Sequence, residues 1–281
     1  MKDHSKVRRL LDAERNRKSF LIAVHRGISR GNLMENTIAG HRATFRCGGD
    51  MSELDVASSK DGILYTIHDG EDMQLRQIGR AVSVCDLTAA EVDQLEYLNT
   101  SACPVGHIER FAETLAGLKG CGLLNIDRAF NCWEKALQIL EKADMAEQLL
   151  LKSPIREDCL EQLSQTPTPF MYMPVLRSPD ELPLLRKYNL NLVGYEVLFD
   201  REDHPLLDRE LQKELTAHGE FLWANAIDLG NVFNLTAHHT DTGALLESED
   251  AHWGWLLDHG FSVLQTDFPA ELRDYRNRRQ R

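Results

Sequence analysis

The chain has 281 residues, with a hydrophobic share of 42% and a charged share of 27%, values that are typical of a folded globular protein. Its formal net charge of -12 argues against nucleic-acid binding, which depends on Lys and Arg residues that neutralise phosphates. A small anionic ligand would therefore need a local positive site, such as a bound cation. No apolar run approaches the roughly 18 residues of a membrane span, so we expect no integral membrane contact.

The distribution of charges and cysteines favours a cytoplasmic protein. Charged residues occur throughout the first 20 positions and leave no apolar stretch long enough for a secretory signal. The six cysteines include no C-x-x-C pair, and a chain of this length folds without disulfides. We expect reduced, mostly buried thiols.

Nine short apolar runs alternate with longer amphipathic stretches, as in βα units around a parallel sheet. We predict strands at residues 20–24, 51–56, 63–67, 123–126, 149–151, 170–173, 192–197, 221–224 and 261–265. The segment between the second and third runs contains the turn signal Lys60-Asp61-Gly62 and is too short for a parallel crossover, so these two runs are expected to form a hairpin. The other eight predict a TIM-type (β/α)8 barrel.

The amphipathic stretches have helical spacing and predict helices at residues 35–46, 88–95, 108–118, 132–143, 155–165 and 249–259. We expect a single barrel catalytic domain over residues 1–281. Residues 70–104 exceed an ordinary βα loop and predict a small insertion after the third strand, lying over the active-site face. The arginine-rich end is expected to be a frayed, solvated helix terminus.

Polar side chains follow the first predicted strand, at His25-Arg26-Gly27. Barrel active sites are built at such strand ends. The Arg26 guanidinium could bind two phosphate oxygens, and the His25 imidazole could exchange a proton near neutral pH. Alone, this triplet is more often an ordinary loop start.

A pair of acids lies in the second predicted strand, at Glu53-Leu54-Asp55. Because side chains alternate along a strand, both carboxylates lie on one face, about 6.6 Å apart along it. Two anions on one face repel unless a cation lies between them, and Mg²⁺ and Ca²⁺ bind carboxylate oxygens. A solvent-facing edge strand is the alternative, which the apolar neighbours Met51, Leu54 and Val56 disfavour.

Two further strand ends carry ionisable residues, at His68-Asp69 and at Asn125-Ile126-Asp127. The predicted hairpin would place His68 beside Glu53 and Asp55, where two histidines on either side of a cation could act as acid and base. Asp127 could supply a third carboxylate ligand. The repetition at strand ends carries the prediction, since each pattern alone is ordinary.

The order of these pieces resembles that of the glycerophosphodiester phosphodiesterase family. The likeness comprises the sequence from Ile22 to Gly27, Glu35-Asn36-Thr37, Glu53-Leu54-Asp55-Val56, Lys60-Asp61-Gly62, His68-Asp69, Asn125-Ile126-Asp127, Trp223-Ala224-Asn225 and the sequence from Gln265 to Pro269. It spans nearly the whole chain, and the ordered combination is far more specific than any one piece.

The resemblance implies a barrel enzyme that hydrolyses glycerophosphodiesters to glycerol 3-phosphate and an alcohol. It implies a divalent cation, Mg²⁺ or Ca²⁺, bound by Glu53, Asp55 and Asp127. It also implies that His25 and His68 act as acid and base, with Arg26 on the phosphate. Three further residues on strand ends are implied to contact phosphate or glycerol: Lys152, Glu196 and Trp223.

The sequence departs from the family pattern at two places. Met34 stands where the family usually has Pro before Glu-Asn-Thr, which should change only loop stiffness. The fourth-strand motif usually reads Glu, apolar, Lys, and here it reads Asp127-Arg128-Ala129. The shorter carboxylate must lie nearer the cation, and Lys152 or Arg128 could replace the missing lysine.

Two other functions fit the same residues. One is a related phosphodiesterase that acts on lysophospholipids or phosphoinositides, which an apolar groove near residues 70–104 would favour. The other is a catalytically silent phosphate-binding barrel, against which the retained histidines and acids argue. A serine hydrolase is set aside because the chain has no Gly-x-Ser-x-Gly elbow.

Overall fold

A computed structural model describes residues 4–230 and 233–280, and eight parallel strands close into a barrel within it. The strands of the described residues are β1 (Leu21–Val24), β2 (Met51–Ser58), β3 (Leu64–Thr66), β4 (Glu96–Leu98), β5 (Pro104–His107), β6 (Glu109–Arg110), β7 (Leu123–Asp127), β8 (Leu149–Pro154), β9 (Met171–Leu176), β10 (Gly194–Val197), β11 (Phe221–Asn225) and β12 (Val263–Thr266). The barrel order is β1, β2, then β7 to β12, and β12 pairs with β1. The predicted (β/α)8 barrel is confirmed.

The helices surround the barrel in the expected alternation. They are α1 (Ser5–Arg17), α2 (Ile38–Arg46), α3 (Glu71–Ile78), α4 (Ala89–Val92), α5 (Phe111–Leu118), α6 (Trp133–Ala143), α7 (Glu157–Gln165), α8 (Leu182–Leu185), α9 (Arg209–Leu215), α10 (Asp241–Leu246), α11 (Trp255–Asp258) and α12 (Pro269–Arg279). A π-helical turn, Asp250–Gly254, leads into α11. Helix α2 begins later than predicted because Thr37 caps it, its hydroxyl accepting from the Gly40 N–H at 3.1 Å.

The predicted hairpin is also confirmed. Strand β3 pairs antiparallel with β2, with Val56 opposite Thr66 and Ser58 opposite Leu64. The turn closes where Gly62 takes a φ of 85°, a conformation that glycine adopts without steric cost. Because β3 folds back along β2, the residues that follow it return to the barrel rim.

The barrel interior changes from apolar to polar along its axis. Near the amino ends of the strands the inward side chains are apolar, as at Met51, Leu123 and Leu150, and α1 covers them with Val7 and Leu11. Outward side chains pack in a separate cluster against the surrounding helices. The polar inward residues therefore collect at the carboxyl ends of the strands.

Residues 70–104 form a small lobe, and its Ile78, Val92 and Tyr97 share a buried cluster with Tyr65 of β3. Strands β4 and β5 pair with each other, and β6 extends the β2–β3 hairpin. Sequence analysis missed these three strands because they are short and largely polar. The lobe reaches the barrel rim, where the Met73 sulfur lies 3.9 Å from a terminal nitrogen of Arg26. The single-domain organisation over residues 1–281 stays a prediction.

The arginine-rich end differs from the expected solvated terminus. Arg276, on α12, is buried and pairs with the Asp50 carboxylate at the base of the barrel. The expectation was wrong for this residue because composition alone did not reveal the buried acid. Arg281 lies outside the described residues. Among the helices of the described residues, none combines the length and the apolarity that a bilayer crossing requires.

Candidate active site

A cavity of about 140 Å³ opens at the carboxyl ends of the barrel strands. Its lining consists of His25, Arg26, Glu53, Asp55, His68, Asp127, Arg128, Lys152, Glu196, Asn225, Ile227, Leu229, Leu235 and Gln265. The structure thus brings together all of the predicted site residues except Trp223. The fold explains this convergence because parallel strands carry their carboxyl ends to one face of a barrel.

Three carboxylates meet in this cavity. Ligand oxygens of Glu53, Asp55 and Asp127 all lie within 4.8 Å of one another. The register of β2 and β7 explains this, because it sets Asp55 directly beside Asp127. Glu53 and Asp55 are almost fully buried.

The electrostatics of these acids fit a divalent cation. Burial and the neighbouring charge of Asp55 raise the pKa of Glu53 to about 8. The raised pKa reflects burial of a carboxyl group beside a like-charged neighbour. A hard cation with oxygen ligands would compensate that negative charge, and the three carboxylates could hold it.

Asn36 fixes one of these carboxylates. Its amide nitrogen donates to Asp55 Oδ2 at 3.0 Å, while its amide oxygen accepts from the Asp55 backbone N–H at 2.9 Å. Sequence analysis recorded Asn36 only as part of Glu35-Asn36-Thr37 and assigned it no role. The motif was the sequence signal that could have indicated this residue, but its contact with Asp55 is seen only in the structure.

Three residues at the site adopt left-handed backbone conformations: Arg26 (φ 54°), Asn36 (φ 55°) and Arg128 (φ 58°). Asn tolerates this region, but for an arginine it costs roughly 1–2 kcal/mol. Contacts with the acids hold both arginines there, since the Arg26 N–H donates to Glu53 at 2.8 Å and the Arg128 N–H donates to Asp127 at 2.6 Å. Such strain is common at functional sites.

The two arginine side chains also border the carboxylates. The Nε atoms of Arg26 and Arg128 each lie 3.3 Å from an Asp55 oxygen. Burial alone would raise the pKa of Asp55, but nearby positive charge, above all that of Arg26, holds it below its ordinary value. Arg26 also contacts Glu35 at 3.0 Å. Asp55 therefore stays ionised beside the neighbour whose pKa is raised.

His25 is held by an acid from the far end of the chain. Its Nδ1 lies 3.0 Å from an Asp267 oxygen. Burial opposes the charged imidazolium, but the hydrogen bond and charge of Asp267 prevail and raise the pKa of His25 above its ordinary value. Asp267 is the hydrogen-bond partner of His25, and it lies in the motif from Gln265 to Pro269, which was not assigned a role from the sequence.

His68 has the opposite tendency. Burial lowers its pKa, and the charges of Arg26 and Arg128 lower it further against the opposing effect of Asp55. The pKa values of the two imidazoles in this cavity therefore shift in opposite directions. Environments that separate two pKa values in this way are a common basis for acid and base roles.

The remaining predicted residues are Lys152, Glu196 and Trp223. The Lys152 ammonium lies 2.7 Å from Asp127 Oδ2 and 2.9 Å from Glu196 Oε2, and both Lys152 and Glu196 are buried. Trp223 lies one layer deeper, in the apolar barrel interior, and is fully buried. Its indole N–H donates to Asn225 at 2.8 Å, so it reaches the cavity only through that residue.

The family relationship that the motifs implied is confirmed by a family model. The model of the glycerophosphoryl diester phosphodiesterase family matches residues 25–205, which is more than half of the chain. The chain belongs to this family. A second model, described only as a domain of unknown function, matches residues 170–276. The region matched by the phosphodiesterase family model thus ends before β11 and β12.

One curated relative of the family is a glycerophosphodiester phosphodiesterase of Caldanaerobacter subterraneus subsp. tengcongensis, which is 41% identical over 76 residues. That match covers 27% of this chain and only 30% of the relative's own length.

Solved structures described as phosphodiesterases share the fold. A glycerophosphoryl diester phosphodiesterase from Parabacteroides distasonis superposes with a TM-score of 0.71 at 16% identity, covering 92% of this chain and 86% of that one. An Oleispira antarctica phosphodiesterase, described as a complex with the product sn-glycerol-3-phosphate, gives a TM-score of 0.63 at 16% identity, covering 90% and 95%. At such identities the likeness shows the fold alone.

Proposed function

We propose that this protein hydrolyses glycerophosphodiesters to glycerol 3-phosphate and an alcohol. The observation that carries the proposal is the meeting of three carboxylates within 4.8 Å in one cavity with two imidazoles whose pKa values shift in opposite directions. Family membership supports it, as does the relative from Oleispira antarctica whose structure is described as holding sn-glycerol-3-phosphate.

Glu53, Asp55 and Asp127 would hold a divalent cation, Mg²⁺ or Ca²⁺. When bound there, such a cation would act as a Lewis acid on the nonbridging phosphate oxygens. Arg26 lines the same cavity and would bind the phosphate through Nη2, the guanidinium nitrogen that contacts neither Glu35 nor Asp55. Its charge is fixed where negative charge grows during the reaction.

We assign His25 as the general acid and His68 as the general base. The raised pKa of His25 suits a proton donor, and its Nδ1 faces Asp267, so Nε2 remains to donate a proton to the leaving alcohol oxygen. The lowered pKa of His68 suits a proton acceptor, and His68 would accept the proton of the attacking hydroxyl or water. Each such proton transfer typically contributes about 10² to 10⁴ in rate.

The proposal is tested with a panel of glycerophosphodiesters, including glycerophosphocholine, after chelation and readdition of Mg²⁺, Ca²⁺ or Mn²⁺. We expect glycerol 3-phosphate to be released only when a cation is restored. His218→Gln is a matched control because His218 is exposed and does not line the cavity. Full activity of His25→Gln on the same panel would refute the assignment.

A second candidate is hydrolysis of lysophospholipids. Three apolar side chains, Ile227, Leu229 and Leu235, line one wall of the cavity and could contact an acyl chain. These three residues follow β11, whereas the apolar groove that would favour this candidate was expected near residues 70–104. Adding lysophosphatidylcholine to the panel separates the two, because this candidate requires a higher kcat/KM for the lysolipid than for glycerophosphocholine.

We also propose a cytoplasmic location. All six cysteines are free thiols within the described residues. This state supports a reducing compartment.

A further inference from the structure

A buried chain of polar contacts runs across the barrel behind the three carboxylates. It begins at the Trp223 indole N–H, which donates to Asn225 Oδ1 at 2.8 Å, and Asn225 Nδ2 in turn donates to Glu196 Oε1 at 2.8 Å. The other Glu196 oxygen, Oε2, lies 2.9 Å from Lys152 Nζ. Lys152 Nζ also donates to Asp127 Oδ2 at 2.7 Å. All of these side chains except Asp127 are buried. We call this series the relay chain.

The chemistry of the groups gives the relay chain a direction. An indole N–H can only donate, so Trp223 fixes which end of the Asn225 amide faces it. The amide nitrogen must then face Glu196 and donate to its Oε1. Glu196 is therefore oriented with its other oxygen, Oε2, 2.9 Å from the Lys152 ammonium.

The Lys152 ammonium has two acidic neighbours that compete for it. If Glu196 carried no charge, Lys152 would be balanced by Asp127 alone, and the positive charge would oppose a cation at the same carboxylate. With the Glu196 carboxylate beside it, the ammonium has a second acidic neighbour on the side away from Asp127. The hydrogen bonds from Lys152 and from the Arg128 N–H then orient the Asp127 carboxylate.

We propose that Glu196, oriented by Asn225 and Trp223, balances the charge of Lys152, so that Lys152 orients the Asp127 carboxylate for a divalent cation instead of competing with the cation for it. These are positioning residues, and the inference rests on the metal site of the proposed function. Trp223 and Asn225 lie beyond residue 205, in a segment that the model of the domain of unknown function matches and the phosphodiesterase family model does not. In this role, Trp223 and Asn225 orient Glu196.

The test measures binding of Mn²⁺ to the metal-free full chain by isothermal titration calorimetry. Glu196→Gln removes the charge but keeps the size of the side chain and an oxygen for the Asn225 amide. We expect the Kd for Mn²⁺ to rise about 10- to 100-fold, the usual effect of losing a partner of a metal ligand. Glu147→Gln is the matched control, since Glu147 pairs with Arg9 away from the cavity and should leave the Kd unchanged.

A rescue variant separates charge balance from a structural role. In the double variant Lys152→Gln with Glu196→Gln, the unbalanced ammonium is gone, so we expect the Kd to return to within a few-fold of the original protein. A purely structural role would make the double variant at least as weak as Glu196→Gln. Thermal melting without cation checks that each variant is folded.

If Glu196→Gln does not fold, Asn225→Ser tests the same idea, because it removes the amide and leaves the ion pair, and it should weaken Mn²⁺ binding to a smaller extent. An unchanged Kd in the folded variant would overturn the relay chain while leaving the metal site intact. Absence of Mn²⁺ binding by the original protein would instead overturn the metal site itself.

Discussion

The two ends of the barrel use buried charges in different ways. At the base, Asp50 accepts from the Ile22 backbone N–H at 2.8 Å and forms ion pairs with Lys18 and Arg276. At the rim, Glu53 lies beside like-charged acids, and its pKa is raised to about 8. The base therefore pairs its buried acid with protein cations, while the rim places a buried carboxyl group beside like-charged neighbours.

This difference separates stability from function. In barrels of this kind, residues at the carboxyl ends of the strands serve catalysis, and those at the opposite face serve stability. A change at the base should therefore lower the free energy of unfolding and spare the reaction. A change at the rim should do the reverse.

The largest expected effect is at the rim. Replacing His68 with Ala removes the proposed base, so kcat should fall by about 10² to 10⁴ with the free energy of unfolding little changed. Steady-state assays at saturating cation and urea denaturation measure the two quantities. If the free energy of unfolding fell while kcat stayed normal, His68 would be a structural residue.

The next effect is at the base. Asp50→Ala leaves Arg276 as a buried charge without its partner and leaves the Ile22 N–H unpaired, so it should cost about 3–5 kcal/mol of stability. Urea denaturation measures the loss, and kcat should stay unchanged wherever the variant is folded. Glu147→Gln breaks an exposed pair with Arg9 and should cost only about 0–1 kcal/mol. Equal losses in the two variants would contradict the proposed contrast.

A third effect links the rim to stability through the cation. Cation at about 100 times its Kd should raise the free energy of unfolding by about 2.7 kcal/mol. Without cation, Glu53→Gln should be nearly as stable as the original protein, since a pKa of about 8 means that Glu53 is largely protonated at pH 7. The same variant should lose most of the stabilisation by cation. Thermal melts with and without Mg²⁺ make this comparison.

The smallest effect concerns pH. We expect kcat/KM to fall on the acid side as His68 gains a proton and on the alkaline side as His25 loses one. Asp267 raises the pKa of His25, so Asp267→Asn should move the alkaline limb to lower pH and leave the acid limb in place. If only the acid limb moved, the acid and base assignments would have to be exchanged.

The barrel could be predicted from the amino-acid sequence alone, and the predicted site residues, apart from Trp223, line the cavity. Alternating apolar runs located all nine predicted strands, and the short segment at Lys60-Asp61-Gly62 was enough to identify the hairpin, because these signals are local. The ionisable residues at strand ends also converge as expected, since parallel strands share one carboxyl face.

Only the tertiary structure decided which groups face one another. The contacts of Asp267 with His25 and of Arg276 with Asp50 join residues more than 200 positions apart. No local pattern encodes such pairs, because they depend on barrel closure and on the register between strands. The same reason explains Trp223, whose place on a strand was predictable, while its depth below the cavity followed from side-chain packing.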